Sequence, residues 1–218
     1  MSARDPRIRG LYLVTAGEDD TDALCRRVEA CLQAGVRLVQ YRDKTAGPAR
    51  REQQARALVS LCRAHGAALI VNDDPALAAR IGADGVHLGQ GDAAPAEARR
   101  QLGPAAIVGV SCHESLALAR EAVAAGASYV AFGAVYPSAT KPNAPRVSLA
   151  TLHTARRRLD RPIVAIGGIL PAHVPGLAAA GVDAVAVVGG LARCADPAAV
   201  ARTYLAGFAS AGEPIPES

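Results

Sequence analysis

The chain has 218 residues, of which half are hydrophobic and 3% are aromatic, and its formal net charge is +4 at pH 7. Its arginines are scattered along predicted helices rather than clustered in a stripe beside aromatic platforms, which argues against nucleic-acid binding. The polar residues 1–9 lack the apolar core of a secretory signal and no apolar run is long enough to cross a bilayer, so we expect no membrane association.

Short runs rich in Val, Ile and Leu alternate with longer Ala- and Arg-rich stretches of helical periodicity, the pattern of repeated strand–helix units. The eight predicted strands begin at Leu11, Arg37, Ala68, Gly85, Ile107, Tyr129, Ile163 and Ala184. Glycines at positions 35, 82, 126 and 181 are predicted to cap the preceding helices. Eight units without a seam favour a single closed (β/α)8 TIM barrel of the α/β class over a doubly wound sheet. We expect this domain to cover residues 1–218, with a tail that frays from about residue 208.

In such a barrel the chemistry lies where strands end and helices follow, so polar residues at those points are informative. After the second predicted strand, Gln40, Arg42 and Lys44 occupy alternate positions. The two-residue period of a strand sends all three side chains in one direction. Two cations and an amide on one face favour an anion site over a solvated loop.

The next two predicted strands end in acidic residues. Asn72 and Asp73 follow the third strand, and Asp92 follows the fourth. Two carboxylates opposite cations would suit Mg²⁺, which takes one or two protein carboxylates and completes its coordination with water and substrate phosphates. Simple ion pairing with Arg42 and Lys44 is the alternative.

Two residues beside these acids are assigned structural roles. Asp74, directly before Pro75, is predicted to cap the following helix. His87 lies in the fourth strand without the partner set that a metal site needs, so we predict that it is a packing residue.

The fifth strand delivers Ser111, Cys112 and His113. Ser111 is suited either to donate a hydrogen bond to phosphate or to cap the next helix, and both interpretations stay open. A nucleophilic Cys112 activated by His113 is disfavoured, because adjacent strand residues point apart.

The stretch 133–147 is predicted to be the longest loop, a binding segment or a lid. Within it, Ser138, Thr140 and Lys141 supply hydroxyl and ammonium donors suited to phosphate. Glycine pairs at 167–168 and 189–190 follow the last two strands. Many barrels hold a phosphate at this place, which favours a phosphate site there.

The segments that carry these residues resemble, in order and along nearly the whole chain, the thiamine phosphate synthase family. They are LYLVT, QYRDK, LIVNDD, GADGVHLGQGD, GVSCHE, FGAVYPSATK, IVAIGGI and AVAVVGGL. The combination of HLGQ-x-D, a V-Y/F-P-x-x-TK loop and a late IGGI makes the resemblance specific. It implies that the chain couples 4-amino-2-methyl-5-pyrimidinylmethyl pyrophosphate with 4-methyl-5-thiazolylethyl phosphate, giving thiamine phosphate and pyrophosphate.

The resemblance also implies a role for each candidate residue. Asp73 and Asp92 would hold Mg²⁺. The pyrimidine substrate, largely through its pyrophosphate, would be contacted by Gln40, Arg42, Lys44, Asn72, Ser111 and Lys141. The expected catalytic residues among these are Arg42, Lys44, Ser111 and Lys141. The thiazole phosphate would be bound by Ser138, Thr140 and Gly168, with Val188 and Gly189 alongside.

Two alternatives stay open. A thiazole tautomerase is a related barrel that would use His113 as acid or base, but it has little need of a metal clamp on pyrophosphate. A non-catalytic sensor of a phosphorylated vitamin precursor is also compatible. In its favour, Gly189 and Gly190 stand where the family commonly has Ser-Ala, which removes one hydroxyl contact to the thiazole phosphate.

Cysteine usage indicates the compartment. The five cysteines are odd in number and form no C-x-x-C pair, which predicts free thiols in a reducing, cytoplasmic environment. The expected partners are small phosphorylated substrates, and a homo-oligomer is compatible with the sequence.

Overall fold

The computed structural model describes residues 5–137, 146–192 and 194–209. Within them, eight parallel strands follow one another in chain order around a closed barrel, which the pairing of the first strand with the last completes. The strands are β1 (Gly10–Val14), β2 (Leu38–Tyr41), β3 (Ala68–Asn72), β4 (Gly85–Leu88), β5 (Ile107–Ser111), β6 (Tyr129–Gly133), β7 (Ile163–Ile166) and β8 (Ala184–Val187). The predicted (β/α)8 barrel is confirmed, and each strand begins within one residue of its predicted start.

Helices follow the strands. They are α1 (Thr21–Gln33), α2 (Pro48–Ala64), α3 (Pro75–Ile81), α4 (Pro95–Leu102), α5 (Leu116–Ala124), α6 (Leu149–Arg158), α7 (Val174–Ala179), α8 (Gly189–Ala192) and α9 (Pro197–Ala209), with a 3₁₀ turn at Pro171–His173. None of the helices in the described ranges is long and apolar enough to cross a membrane. Helix α9 continues past position 208, where we expected fraying to begin, and residues 210–218 lie outside the described part.

The strands bury side chains on both faces, because alternate residues point into the barrel and out toward the helices. In β1, Leu11 and Leu13 belong to the apolar cluster beneath the helices, whereas Tyr12 and Val14 belong to the cluster inside the barrel. Tyr129 is also in the interior cluster, where small residues such as Ala68, Ala131 and Ala184 surround the larger side chains. The barrel interior therefore contains phenolic hydroxyls that need hydrogen-bond partners.

Local capping agrees with the sequence in most places. The Asp74 carboxylate accepts a hydrogen bond from the Leu77 amide at 2.8 Å, which confirms its role at the start of α3. The four glycines predicted to cap helices all have positive φ. Helix α5 is capped by Ser115, whose hydroxyl accepts from the Leu118 amide, so the interpretation of Ser111 as that cap is wrong.

Candidate active site

The mouth of the barrel at the carboxyl ends of β2 to β5 gathers most of the predicted polar residues. Gln40 lies near the end of β2 and is buried, and Asn72 and Ser111 are the last residues of β3 and β5. Asp73 follows β3 directly. Parallel strands end on the same rim of a barrel, so chain positions far apart in sequence meet there.

Asp73 and Asp92 are in contact at this rim. Asp73 has a φ of 62°, and its amide donates to the His87 carbonyl at 2.8 Å, which ties it to β4. Oδ2 of Asp92 accepts from the Gly89 amide at 2.6 Å. Burial raises the pKa of Asp73, a hydrogen bond and charge repulsion from Asp92 raise it further, and Lys44 counteracts the rise.

This pair of carboxyl groups fits a hard divalent cation. The described residues contain no cluster of three or more His, Cys, Asp or Glu side chains that could surround a metal. Mg²⁺ does not need one, since substrate phosphates and water supply its remaining ligands. Burial and the neighbouring Asp92 raise the pKa of Asp73, so positive charge placed beside this carboxyl group would favour its ionised form.

The two predicted cations, Lys44 and Arg42, differ in their contacts with the acids. The Nζ atom of Lys44 is 3.8 Å from Oδ2 of Asp73, and the side chain is largely exposed. The Arg42 backbone is held by Thr15, whose hydroxyl accepts from the Arg42 amide at 2.8 Å and donates to its carbonyl at 3.1 Å. The Arg42 guanidinium has no hydrogen bond or ion pair with any residue in the described ranges. Among the described residues, simple ion pairing with the acids therefore explains the position of Lys44 but not that of Arg42.

Arg51 is a site-lining residue that sequence reasoning missed. A cavity of about 250 Å³ opens beside the acids and is lined by Tyr41, Asp43, Lys44, Ala46, Arg51, Val71, Asn72 and Asp73. The Arg51 guanidinium lies 3.4 Å from Oδ2 of Asp74. The available signal was its position in the first turn of α2, because helices that follow strands start at the same rim.

A chain of hydrogen bonds crosses the barrel interior beneath the mouth. The Gln40 amide nitrogen donates to the Tyr12 hydroxyl at 2.9 Å, and the Tyr12 and Tyr129 hydroxyls are 2.8 Å apart. The Tyr129 hydroxyl is 2.8 Å from Nδ1 of His87, and Nε2 of His87 is 2.9 Å from Oγ of Ser111. Two predicted site residues, Gln40 and Ser111, are thus connected through three interior residues.

His87 packs inside the barrel as predicted, and it also forms hydrogen bonds that the sequence did not predict. Both of its ring nitrogens have hydrogen-bond partners, and its ring stacks on Tyr129 with centroids 5.7 Å apart. Burial lowers the pKa of His87 to about 4, with the charge of Asp92 opposing the shift. Strand periodicity indicates which side chains point into the barrel, and these include Tyr12, His87 and Tyr129. It does not indicate which of them are in contact across the barrel.

Cys112 and His113 do not form a nucleophile and base. Cys112 is fully buried with its thiol 3.6 Å from the Val110 carbonyl, and burial raises the pKa of that thiol to about 12. His113 is exposed, with a φ of 51°. A buried protonated thiol is a poor nucleophile, in agreement with the prediction.

The glycine turn after β7 contacts the start of the long loop. Gly168 has a φ of 62°, and a Cβ atom there would lie 2.2 Å from the Pro137 carbonyl oxygen. The Tyr136 amide donates to the Gly167 carbonyl at 3.0 Å, and its ring stacks on His173 at a centroid distance of 3.7 Å. The loop therefore leaves the barrel wall along the β7 turn.

The remaining predicted residues lie at β8 or outside the described part. Val188 directly follows β8 and packs on the interior cluster, and Gly189 begins the short helix α8. Ser138, Thr140 and Lys141 are outside the described residues.

A (β/α)8 barrel whose mouth combines a carboxylate pair with cations is typical of enzymes that act on small phosphorylated substrates. Comparison with known proteins identifies the family more closely, because the family model described as thiamine monophosphate synthase matches residues 11–191. The chain belongs to this family.

Individual relatives agree over nearly the whole chain. A thiamine-phosphate synthase from Thioalkalivibrio sulfidiphilus (strain HL-EbGR7) is 55% identical over 209 residues, covering 95% of this chain and 99% of the relative. Another from Azoarcus sp. (strain BH72) is 50% identical, covering 93% and 98%. Among solved structures, a thiamine phosphate pyrophosphorylase from Pyrococcus furiosus matches with a TM-score of 0.83 at 27% identity, covering 96% of this chain and 100% of that one.

Proposed function

We propose that this chain is a transferase of thiamine biosynthesis that couples 4-amino-2-methyl-5-pyrimidinylmethyl pyrophosphate with 4-methyl-5-thiazolylethyl phosphate. The products are thiamine phosphate and pyrophosphate. Membership of the thiamine monophosphate synthase family and 55% identity with a thiamine-phosphate synthase support this activity. The observation that carries the proposal is the contact between Asp73 and Asp92 at a rim shared with Lys44 and with Arg42, whose guanidinium has no ion pair among the described residues.

The chemistry is a dissociative substitution. The C–O bond to pyrophosphate breaks first, and the electron-rich pyrimidine stabilises the cation that remains. The thiazole nitrogen then supplies the electron pair for the new C–N bond. No protein nucleophile takes part, which agrees with the buried, protonated state of Cys112. The enzyme's task is to compensate the charge that grows on the leaving group.

Basic side chains perform part of this task. We assign Arg42 and Lys44, together with Lys141, to the oxygens of the leaving pyrophosphate. Charge on those oxygens is greatest as the bond breaks, so these contacts strengthen in the transition state and lower the barrier. Gln40, Asn72 and Ser111 supply the further contacts to the pyrimidine substrate.

Asp73 and Asp92 would hold Mg²⁺ beside that leaving group. When bound, the ion supplies positive charge to the pyrophosphate oxygens. Lys44 counteracts the raised pKa of Asp73 and so helps to keep the acid ionised, the form that a metal ligand requires.

The thiazole phosphate is assigned to the opposite side of the mouth. Ser138, Thr140 and Gly168 would bind it, with Val188 and Gly189 alongside. The contact between the Gly168 turn and Pro137 supports this assignment, because it brings the start of the Ser138 segment to the end of β7. Since Gly189 has no hydroxyl, backbone N–H groups would replace the contact that the family's usual serine makes.

We also propose a cytoplasmic location. All five cysteines are free, three of them fully buried, which is compatible with a reducing compartment.

The activity is tested by incubating the purified chain with both substrates and Mg²⁺, then detecting thiamine phosphate by its fluorescence after oxidation. We expect product that disappears with EDTA and returns with excess Mg²⁺. Isomerisation of a thiazole carboxylate phosphate without pyrophosphate release would instead identify a tautomerase, and binding without turnover would identify a sensor. Either result contradicts the proposal.

A further inference from the structure

The interior chain of hydrogen bonds has one direction. The Gln40 amide nitrogen can only donate, so the Tyr12 hydroxyl accepts from it. The Tyr12 proton then has one available acceptor, the Tyr129 hydroxyl, because Tyr12 is 1% exposed and has no other partner in the described part of the chain. The Tyr129 proton in turn points to Nδ1 of His87.

This direction determines the state of the histidine. An Nδ1 atom that accepts from Tyr129 carries no proton, so the neutral ring has its proton on Nε2. A doubly protonated ring is excluded by the same contact, because its Nδ1–H would point at the Tyr129 proton. Nε2–H then donates to Oγ of Ser111, at 2.9 Å.

The two ends of the chain are left with defined hydrogen-bonding capacity. Ser111 accepts from His87, so its own proton is free to be donated. Gln40 uses its amide nitrogen on Tyr12, so its carbonyl oxygen Oε1 is free to accept. Neither free group has another partner in residues 5–137, 146–192 and 194–209.

The neighbouring strand β5 leaves space for the Tyr129 ring beside His87. Gly109 lies opposite Tyr129 in the pairing of β5 and β6. A Cβ atom at position 109 would be 2.0 Å from Cζ of Tyr129, so a glycine is required for the phenol to reach His87. The Tyr12 and Tyr129 rings meet edge to face, with centroids 6.0 Å apart.

We propose that Tyr12, Tyr129 and His87 are positioning residues. Tyr12 and Tyr129 hold His87 as the Nε2–H tautomer. As a result, Ser111 is a hydrogen-bond donor and Gln40 Oε1 is an acceptor toward the ligand. The site then selects a ligand that offers an N–H group to Gln40 and an acceptor atom to Ser111. An aminopyrimidine ester carries both kinds of group. The selection of an aminopyrimidine ester rests on the proposed function. The positions of the protons along the hydrogen bonds from Gln40 to Ser111 do not depend on that function.

The proton order is measured on the ligand-free protein by long-range ¹H–¹⁵N correlation of the histidine rings, with His87 assigned through bonds from its backbone. We expect a protonated Nε2 and an unprotonated, hydrogen-bonded Nδ1 at pH 7. A His87 ring protonated on Nδ1 overturns the proposal, whatever the activity of the protein.

The functional consequence is tested with Tyr129→Phe, which removes the central hydroxyl and keeps the ring. We expect His87 to lose its single tautomer and kcat/KM for the pyrimidine substrate to fall about tenfold, the value of one hydrogen bond, with KM for the thiazole phosphate unchanged. The matched control is Tyr204→Phe. It removes a buried hydroxyl that donates to the Ile169 carbonyl and takes no part in the interior chain of hydrogen bonds.

The control should leave the His87 tautomer and kcat/KM for the pyrimidine substrate as in the unsubstituted protein. A Tyr129→Phe protein with an unchanged tautomer, or with an unchanged kcat/KM, contradicts the positioning role. If the unsubstituted protein forms no thiamine phosphate, the proposed function fails, and the tautomer measurement still decides the proton order.

Discussion

Asp73 combines an uncommon backbone conformation with a charge that its surroundings disfavour. Its φ of 62° is in the left-handed region, which Asp and Asn tolerate better than most residues. Burial and the neighbouring Asp92 raise the pKa of its carboxyl group. A raised carboxyl pKa means that the ionised form weakens the folded state at neutral pH, as expected of a residue kept for binding.

Replacement of Asp73 by Asn should therefore separate stability from function. Because Asn tolerates this φ and carries no charge, we expect Asp73→Asn to have a higher Tm than the unsubstituted protein without Mg²⁺. Its turnover should fall roughly 100-fold or more, and Mg²⁺ should no longer raise its Tm. Thermal unfolding with and without Mg²⁺, together with the thiamine phosphate assay, measures both effects.

Asp74→Asn is the matched control, because asparagine caps a helix about as well as aspartate does. It should retain turnover and the Mg²⁺-dependent rise in Tm. Equal Mg²⁺ responses of Asp73→Asn and the unsubstituted protein would show that Asp73 is not a metal ligand.

At the scale of elements, the turn after β7 positions the start of the long loop. The glycine pair 167–168 after the seventh predicted strand indicated a phosphate site at this place. It did not predict that Gly168 packs against the Pro137 carbonyl, because that contact joins two connections from different strands. Such contacts depend on how β6 and β7 are paired, which the local sequence does not encode.

Gly168→Ala tests this turn. The added Cβ would meet a backbone oxygen and sit at positive φ, so we expect the free energy of unfolding to fall by about 1–3 kcal/mol. We also expect KM for the thiazole phosphate to rise more than KM for the pyrimidine substrate, because the turn borders the proposed thiazole side.

Urea unfolding and steady-state kinetics measure these two changes. Gly176→Ala is the control, since a Cβ there meets nothing within 4 Å. Equal increases in both KM values for Gly168→Ala would argue against a local effect on the thiazole phosphate.

At the scale of the whole molecule, the partly buried His87 makes stability depend on pH. The pKa of His87 is lowered from 6.5 to about 4 in the folded protein, so between these values the unfolded chain binds a proton that the folded protein does not. The free energy of unfolding therefore rises with pH across this range. The contribution of neutral His87 to that free energy is lost as the pH falls from 6.5 toward 4.

From His87 alone we expect about 2 kcal/mol less stability at pH 5 than at pH 7. Urea unfolding at the two pH values measures the difference. His87→Gln should lose this part of the pH dependence, whereas His65→Gln, which alters a partly exposed histidine 3.9 Å from Glu29, should retain it. The same pH dependence in His87→Gln and the unsubstituted protein would refute the assignment.

The sequence by itself determined the features that depend on near neighbours. Alternating apolar runs and glycine caps predicted eight strand–helix units, and the Asp-Pro pair predicted the cap of α3 by Asp74. The predicted strand ends also indicated which polar residues would lie near the rim. The two-residue period did not extend to Arg42 and Lys44, because β2 ends at Tyr41 and both residues follow the strand.

Only the tertiary structure decided which of those residues meet. Closure of the barrel brings Asp92 to Asp73 and joins Tyr12, Tyr129 and His87 into one hydrogen-bonded chain. It gives the Arg42 guanidinium no ion pair within the part of the protein that the structure describes. These contacts link residues from different strands, so they depend on strand order, register and packing of the whole barrel. The physical reason is that backbone propensity acts over a few residues, whereas burial and hydrogen bonding select partners through space.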